Sequence, residues 1–174
     1  IGTHAGTDVS AAAVMVGSHI DTVRTGGRFD GNLGVLAGLE IIETLQQHGI
    51  RTRHPISVAF FTGEEQGMWG SYYYAAEAYN AGEDILGVLN FDMIAWDAKG
   101  GPDIDLHSNN PAIADDSDAL AELVAAVIDV YDLDLIPQIV KNGTRFSDHS
   151  RFWDRGYRSE ERRVGKECSL PCRS

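Results

Sequence analysis

Three short apolar runs, separated by segments of helical pattern, constrain this chain more than any other feature. "AVMVGSH" (Ala13–His19), "ISVAFFT" (Ile56–Thr62) and "LGVLNFD" (Leu86–Asp92) are rich in Val, Ile and Phe and read as buried strands. Between them lie "NLGVLAGLEIIETLQQHG" (Asn32–Gly49) and "WGSYYYAAEAYNAG" (Trp69–Gly82). In the first, Leu36, Leu39, Ile42 and, one step out of phase, Leu45 recur at helical spacing, and Gly49 supplies the stop. In the second, Tyr72, Ala75, Ala76 and Tyr79 form the expected inward stripe. A third helix is expected over Ala119–Tyr131, with Asp115, Asp116 and Asp118 near its start, where the helix dipole favours acid. "AKGGPD" (Ala98–Asp103) reads as a loop. Alternating strands and helices predict an α/β fold, a mostly parallel sheet flanked by helices.

The chain has 174 residues, enough for one domain with a sizeable core. Its formal charge of −12 argues against a nucleic-acid or anionic-membrane partner. No apolar run approaches the roughly 18 residues that a transmembrane helix requires. The end of the chain differs in character. "RSEERRVGKECSLPCRS", residues 158–174, is net basic and holds both cysteines, Cys168 and Cys172. Its first part resembles the translation of a sequencing-library adapter joined to a gene fragment. The expected organisation is therefore one domain over residues 1–157 and a non-native tail over 158–174, which is set aside from the fold.

In parallel sheets of this kind ligand sites lie beyond the carboxyl ends of the strands. Polar residues gather at those ends here. His19 and Asp21 follow the first run, Glu64 and Glu65 the second, and Asp92 closes the third. Asp30 sits in "GGRFDGN", the glycine-flanked loop before the first long helix. Taken singly, each has an ordinary explanation: a strand-end histidine, a turn-forming Asp, a solvated acid. Their joint placement at successive strand ends points instead to a carboxylate-rich metal site. One imidazole with several carboxylates and no thiol suits a borderline divalent ion such as zinc or cobalt better than calcium.

Together "GSHIDTV", "GGRFDGNLGV", "FFTGEEQGMWGS", "LNFDMI" and "SDHSRFWDRGY" resemble metallopeptidase family 28, the co-catalytic zinc aminopeptidases. The resemblance covers most of residues 13–157 and implies the zinc-peptidase, phosphorylase/hydrolase-like fold, incomplete here at both ends. It implies a metal-dependent exopeptidase acting on a peptide or amino-acid-derived substrate. Two divalent ions, zinc by preference, would be held by His19, Asp30, Glu65 and Asp92, with Asp30 bridging them. Glu64 would be the general base, and Asp21 would hydrogen-bond the His19 ring and fix its orientation. Asp148 and His149 would lie beside the substrate or behind the ligands, His149 being a possible fifth ligand. Secretion or a periplasmic location is an expectation from the resemblance alone. So is a cis peptide bond after Asp30.

The chemistry explains this division of labour. Peptide hydrolysis needs a nucleophile at neutral pH, a polarised carbonyl and a proton for the leaving amine. A metal pair about 3.5–4 Å apart supplies the first two, and a neighbouring carboxylate moves the proton. Adjacent strand residues point to opposite faces, so Glu64 and Glu65 can both serve only where the strand ends. The first half, "GSHIDTVRTGGRFDGNLGVLAGLE", is also similar to the N-carbamoyl-amino-acid amidohydrolases of metallopeptidase family 20. A histidine is expected near the place of Asp92 in that branch. A catalytically silent relative kept for binding and a single-zinc acyltransferase of the glutaminyl cyclase kind are the further alternatives.

Overall fold

The computed structural model describes residues 1–24, 26–95, 101–109 and 117–164, with side chains as far as Ser159. Asp115, Asp116, Cys168 and Cys172 lie outside these residues, as does half of the loop expected over Ala98–Asp103. The elements, in chain order, are β1 (Gly2–His4), β2 (Ala13–His19), α1 (Asn32–Gln47), β3 (Ile56–Phe61), α2 (Trp69–Ala81) and β4 (Ile85–Phe91). There follow β5 (Asp103–His107), α3 (Ser117–Val130), β6 (Ile136–Val140), α4 (His149–Trp153) and β7 (Ser159–Val164).

The strands form one sheet in the order β1-β3-β2-β4-β7-β5-β6. β2 pairs in parallel with both β3 and β4, so their carboxyl ends share an edge. β7 continues in parallel on the far side of β4. β5 and β6 are parallel to each other, but β5 runs antiparallel to β7, and β1 antiparallel to β3. The architecture is α/β with a mixed sheet in which parallel pairing predominates. Among the described residues no helix is long and apolar enough to cross a membrane.

α1 contacts the sheet through a different face from the one its leucines suggest. Gly34, Val35 and Gly38 are buried, while Leu36 and Leu39 are 58% and 46% exposed. The reason is the closeness of approach. A Cβ on Gly34 would lie 2.0 Å from the Phe91 carbonyl oxygen and 2.9 Å from Ser18 Cβ, and one on Gly38 would lie 2.8 Å from Val58 Cγ1. Only glycines allow the helix axis so near the sheet, and the flanking leucines are turned aside. α2 is likewise rotated from the expected stripe. Ser71, Ala75 and Ala78 are buried and Tyr74 packs on the core, whereas Tyr72 and Tyr79 are exposed.

Two apolar clusters result. Met15, Ala59, Phe61, Ala75, Ala78, Ile85, Val88 and Phe152 pack beneath β2, β3 and β4. Ile104, Leu106, Ala121, Val124 and Ile128 form a second cluster between α3 and the β5–β6 pair. Phe152 and Trp153 of α4 are both buried.

The sheet extends past the boundary expected at Tyr157. The open edge of β4 needs partners for its backbone groups, and residues from Arg158 onward supply them. Val88 N–H donates to the Arg158 carbonyl at 3.0 Å. The Trp153 indole donates to the Ser159 carbonyl at 2.6 Å, and the Ser159 hydroxyl donates to the His149 carbonyl at 2.8 Å. The first residues of the segment set aside in the sequence therefore occupy the slot between β4 and β5.

Candidate metal centre

The parallel run of β2, β3 and β4 brings three strand ends into register. His19 closes β2 opposite Phe61, so the Glu64–Glu65 turn after β3 and Asp92 after β4 fall beside it. Asp30 arrives from the loop that opens α1. His19 is almost wholly buried, with its Nε2 3.4 Å from Asp92 Oδ1 and 3.8 Å from Asp30 Oδ1.

Two groups of potential ligand atoms, each spanning no more than 4.8 Å, share this histidine: His19, Glu64 and Glu65, and His19, Asp30 and Asp92. All five residues expected to hold or serve a metal are thus gathered at one point. The donor set fits a borderline divalent cation. Glu65 Oε1 is enclosed without a hydrogen-bond partner, the condition of a carboxylate oxygen placed for a cation.

The electrostatics agree with the geometry. Burial opposes a charge on His19, but the facing carboxylates of Asp30 and Asp92 and the field of nearby Glu64 outweigh it, and its pKa is pushed up to about 12. Burial, followed by the Asp92 charge, pushes Glu64 up to about 9. Burial and the neighbouring Asp30 also raise Glu65. A cluster of acids that binds protons this avidly is short of positive charge, and a divalent cation would supply it.

Asp21 behaves differently from the expected ring contact. The His19 Nδ1–H donates to the main-chain carbonyl of Asp21 at 2.8 Å, while the nearer carboxylate oxygen is 3.9 Å away. The carboxylate instead accepts the backbone N–H groups of Glu64 and Glu65, both at 3.2 Å. The turn carrying the glutamates begins at Gly63, whose φ of +72° is left-handed and suits glycine. Among the described peptide bonds none is cis, that after Asp30 included.

Asp148 and His149 lie just behind this group, fully buried. Burial pushes Asp148 up to about 7, with nearby Ser71 and His19 opposing the shift. His149 Nε2 hydrogen-bonds the Thr144 carbonyl at 2.9 Å, and its ring meets Trp153 edge-on, 4.3 Å between centroids. It belongs to neither candidate ligand group. Arg151, which the sequence did not single out, ties α4 to the glutamate turn by donating to the Gly67 carbonyl at 3.3 Å. No sequence signal distinguishes such a main-chain contact. His54 and His107 bond to main-chain groups of Ala12 and Thr144.

Residues 1–160 match the sequence model of Peptidase family M28. The chain belongs to that family. This M28 chain is similar over 65 residues to an N-carbamoyl-L-amino acid amidohydrolase of Geobacillus stearothermophilus, at 55% identity, covering 37% of the chain and 16% of that protein. A second N-carbamoyl-L-amino-acid amidohydrolase, from Rhizobium meliloti, is 56% identical over 63 residues, covering 36% and 15%. The match therefore spans well under a fifth of these relatives' length.

Among solved structures, the LapA aminopeptidase of Legionella pneumophila has a TM-score of 0.76 at 21% identity, covering 90% of this chain and 41% of that one. BSAP, a zinc aminopeptidase from Bacillus subtilis, gives 0.73 at 19%, covering 97% and 40%. An amidase of the hydantoinase/carbamoylase family from Burkholderia vietnamiensis gives 0.63 at 15%, covering 94% and 75%. These likenesses establish the fold.

Proposed function

We propose that this M28 chain is the catalytic part of an exopeptidase of aminopeptidase type, acting on peptides through two divalent ions, preferably zinc. His19, Asp30, Glu65 and Asp92 would hold the ions. The observation that carries the reading is the pair of ligand groups sharing His19 at the carboxyl edge of β2, β3 and β4. The aminopeptidases LapA and BSAP share the fold, which supports it. Bound metal supplies an activated water at neutral pH and polarises the scissile carbonyl.

The chain's own residues do the rest. Glu64 is adjacent in sequence to a proposed ligand and shares a group of potential ligand atoms with His19. Its carboxylate takes a proton from the nucleophile and returns it to the leaving amine. The Asp21 carbonyl holds Nδ1–H of His19, leaving Nε2 to face the acids.

The test is Glu64→Gln in a full-length protein containing this chain. Zinc content should persist while release of the N-terminal residue from a leucyl amide falls by about 10²–10⁴-fold, the usual worth of a general base. Loss of zinc together with activity would place the base elsewhere.

A second reading, hydrolysis of N-carbamoyl amino acids, is favoured by the 55% identity to the Geobacillus amidohydrolase. Against it stands Asp92, where that branch is expected to carry a histidine. Assaying leucyl amide and N-carbamoyl-leucine side by side separates the two. The reading of residues 158–174 as foreign to the gene remains a proposal, tested by resequencing across codon 157.

A further inference from the structure

The Glu64–Glu65 turn poses a geometric problem that the metal-centre reading does not solve. Consecutive residues of a strand project to opposite sides, yet both carboxylates must lie near His19. The chain achieves this by leaving the strand at Gly63, after which the N–H groups of Glu64 and Glu65 both reach the carboxylate of Asp21. Successive N–H groups in a turn make a concavity suited to an anion. Here the chain fills it from within.

We propose that Asp21 is a positioning residue that locks the Glu64–Glu65 turn to His19, its two carboxylate oxygens each holding one of the glutamate amides while its main-chain carbonyl holds the histidine ring. This assignment rests on the metal-centre reading for its catalytic meaning, but not for its geometry. The distances separate it from a contact between the carboxylate and the imidazole. The carbonyl is 2.8 Å from Nδ1 and the carboxylate oxygen 3.9 Å, beyond hydrogen-bond range. Both amide contacts are 3.2 Å and end on different carboxylate oxygens, Oδ1 for Glu64 and Oδ2 for Glu65. Each carboxylate oxygen is thus engaged by the turn, and the Asp21 atom within hydrogen-bond range of the ring is its main-chain carbonyl oxygen.

The consequence is a fixed relation between the two halves of the site. Asp21 lies two residues from His19 in sequence, so holding the turn through Asp21 sets the glutamates against the histidine by a covalently short path. An asparagine in its place keeps the shape and the main-chain carbonyl but offers one acceptor oxygen, with an amino group facing the other N–H.

The experiment uses residues 1–174 without metal, with Asp21→Asn as the variant. Hydrogen exchange at the amides of Glu64 and Glu65 should accelerate about tenfold or more, as expected for lost charge-assisted bonds. The downfield Nδ1–H resonance of His19 should stay in place. Unchanged amide exchange, or displacement of the His19 resonance, would overturn the proposal. If the variant does not fold, the unsubstituted chain is read instead. Scalar couplings across the hydrogen bonds from both amide nitrogens to the Asp21 side-chain carboxyl carbon are expected, and their absence overturns it. No readout involves metal or turnover. A failure to bind zinc would therefore refute the metal-centre reading and leave the clamp intact.

Discussion

Replacing Gly34 by alanine sets two well-measured effects against each other. Gly34 lies in the first turns of α1, where intrinsic propensity favours alanine over glycine by about 1 kcal/mol. The added Cβ, however, would stand 2.0 Å from the Phe91 carbonyl oxygen and 2.8 Å from Phe91 Cβ. Real Cβ atoms essentially never come within 3.0 Å of such neighbours, so helix and strand must part by about 1 Å. Overpacking of this kind costs about 1–3 kcal/mol, and the obstructing atom is backbone, which places Gly34 at the upper end. The expected net loss is about 2 kcal/mol.

The damage is also local to the site, since Ser18 and Phe91 immediately precede His19 and Asp92. A shift of that size in two of the proposed ligands should weaken zinc binding as well. Urea unfolding followed by circular dichroism gives the first quantity and zinc titration the second. Gly38→Ala provides the internal comparison, because the obstruction there is a Val58 side-chain methyl at 2.8 Å, and it should cost less. A Gly34→Ala chain as stable as the parent, or more so, would show that α1 does not depend on this close approach.

Metal-free protein should lose stability as pH rises from about 4 to 9. Glu64 and Asp148 have folded pKa values raised to about 9 and about 7, so their contribution is complete below the unfolded values of 4.5 and 3.8 and is lost as pH climbs through the folded ones. His19, raised to about 12, acts in the same direction above its ordinary 6.5. Thermal midpoints in chelator should show this slope. Asp148→Asn should flatten the part between about 4 and 7, and a rise in stability over that range would contradict the assignment. Zinc binding should release protons, measurable by titration in buffers of different ionisation enthalpy. Ending the chain at Tyr157 removes the strand between β4 and β5, and the urea midpoint should fall or the transition lose cooperativity. Trp153→Phe, which abolishes the indole bond to the Ser159 carbonyl, should cost about 1–3 kcal/mol by leaving a buried acceptor unmet.

The strands that carry the site were readable almost residue by residue. β2 occupies the expected Ala13–His19, and β3 and β4 lie within one residue of their expected limits. Strands buried on both faces leave continuous apolar runs, and such runs are hard to mistake. α3 likewise begins at Ser117 and ends at Val130, close to its expected span. The helix faces were not readable, because hydrophobic periodicity assumes that large side chains do the packing, whereas α1 packs through Gly34 and Gly38. β5 and β6 escaped for another reason. "DIDLH" and "IPQIV" are short, one interrupted by acids and the other by Pro137, and their pairing depends on partners distant in the chain. The gathering of His19, Glu64, Glu65 and Asp92 followed from parallel topology, and Asp30 joins them from the loop that opens α1. What Asp21 touches did not, since a carboxylate two residues past a histidine is equally placed in sequence to meet its ring or a neighbouring turn.

The division of the apolar interior into two clusters bears on how the protein comes apart. The strands supplying His19, Glu64, Glu65 and Asp92 rest on the first cluster, with α2 and α4. The second is confined to β5, α3 and β6, with Leu89 of β4 packed against it. Between them the main-chain link is β7, a single strand bonded to each side. Such a seam lets the two parts open with separate free energies, as cooperative units. The β5–α3–β6 unit should then unravel and re-form while the strands that carry the candidate ligands stay paired. A cation held by those strands would slow the opening of its own unit and leave that of the other nearly unchanged.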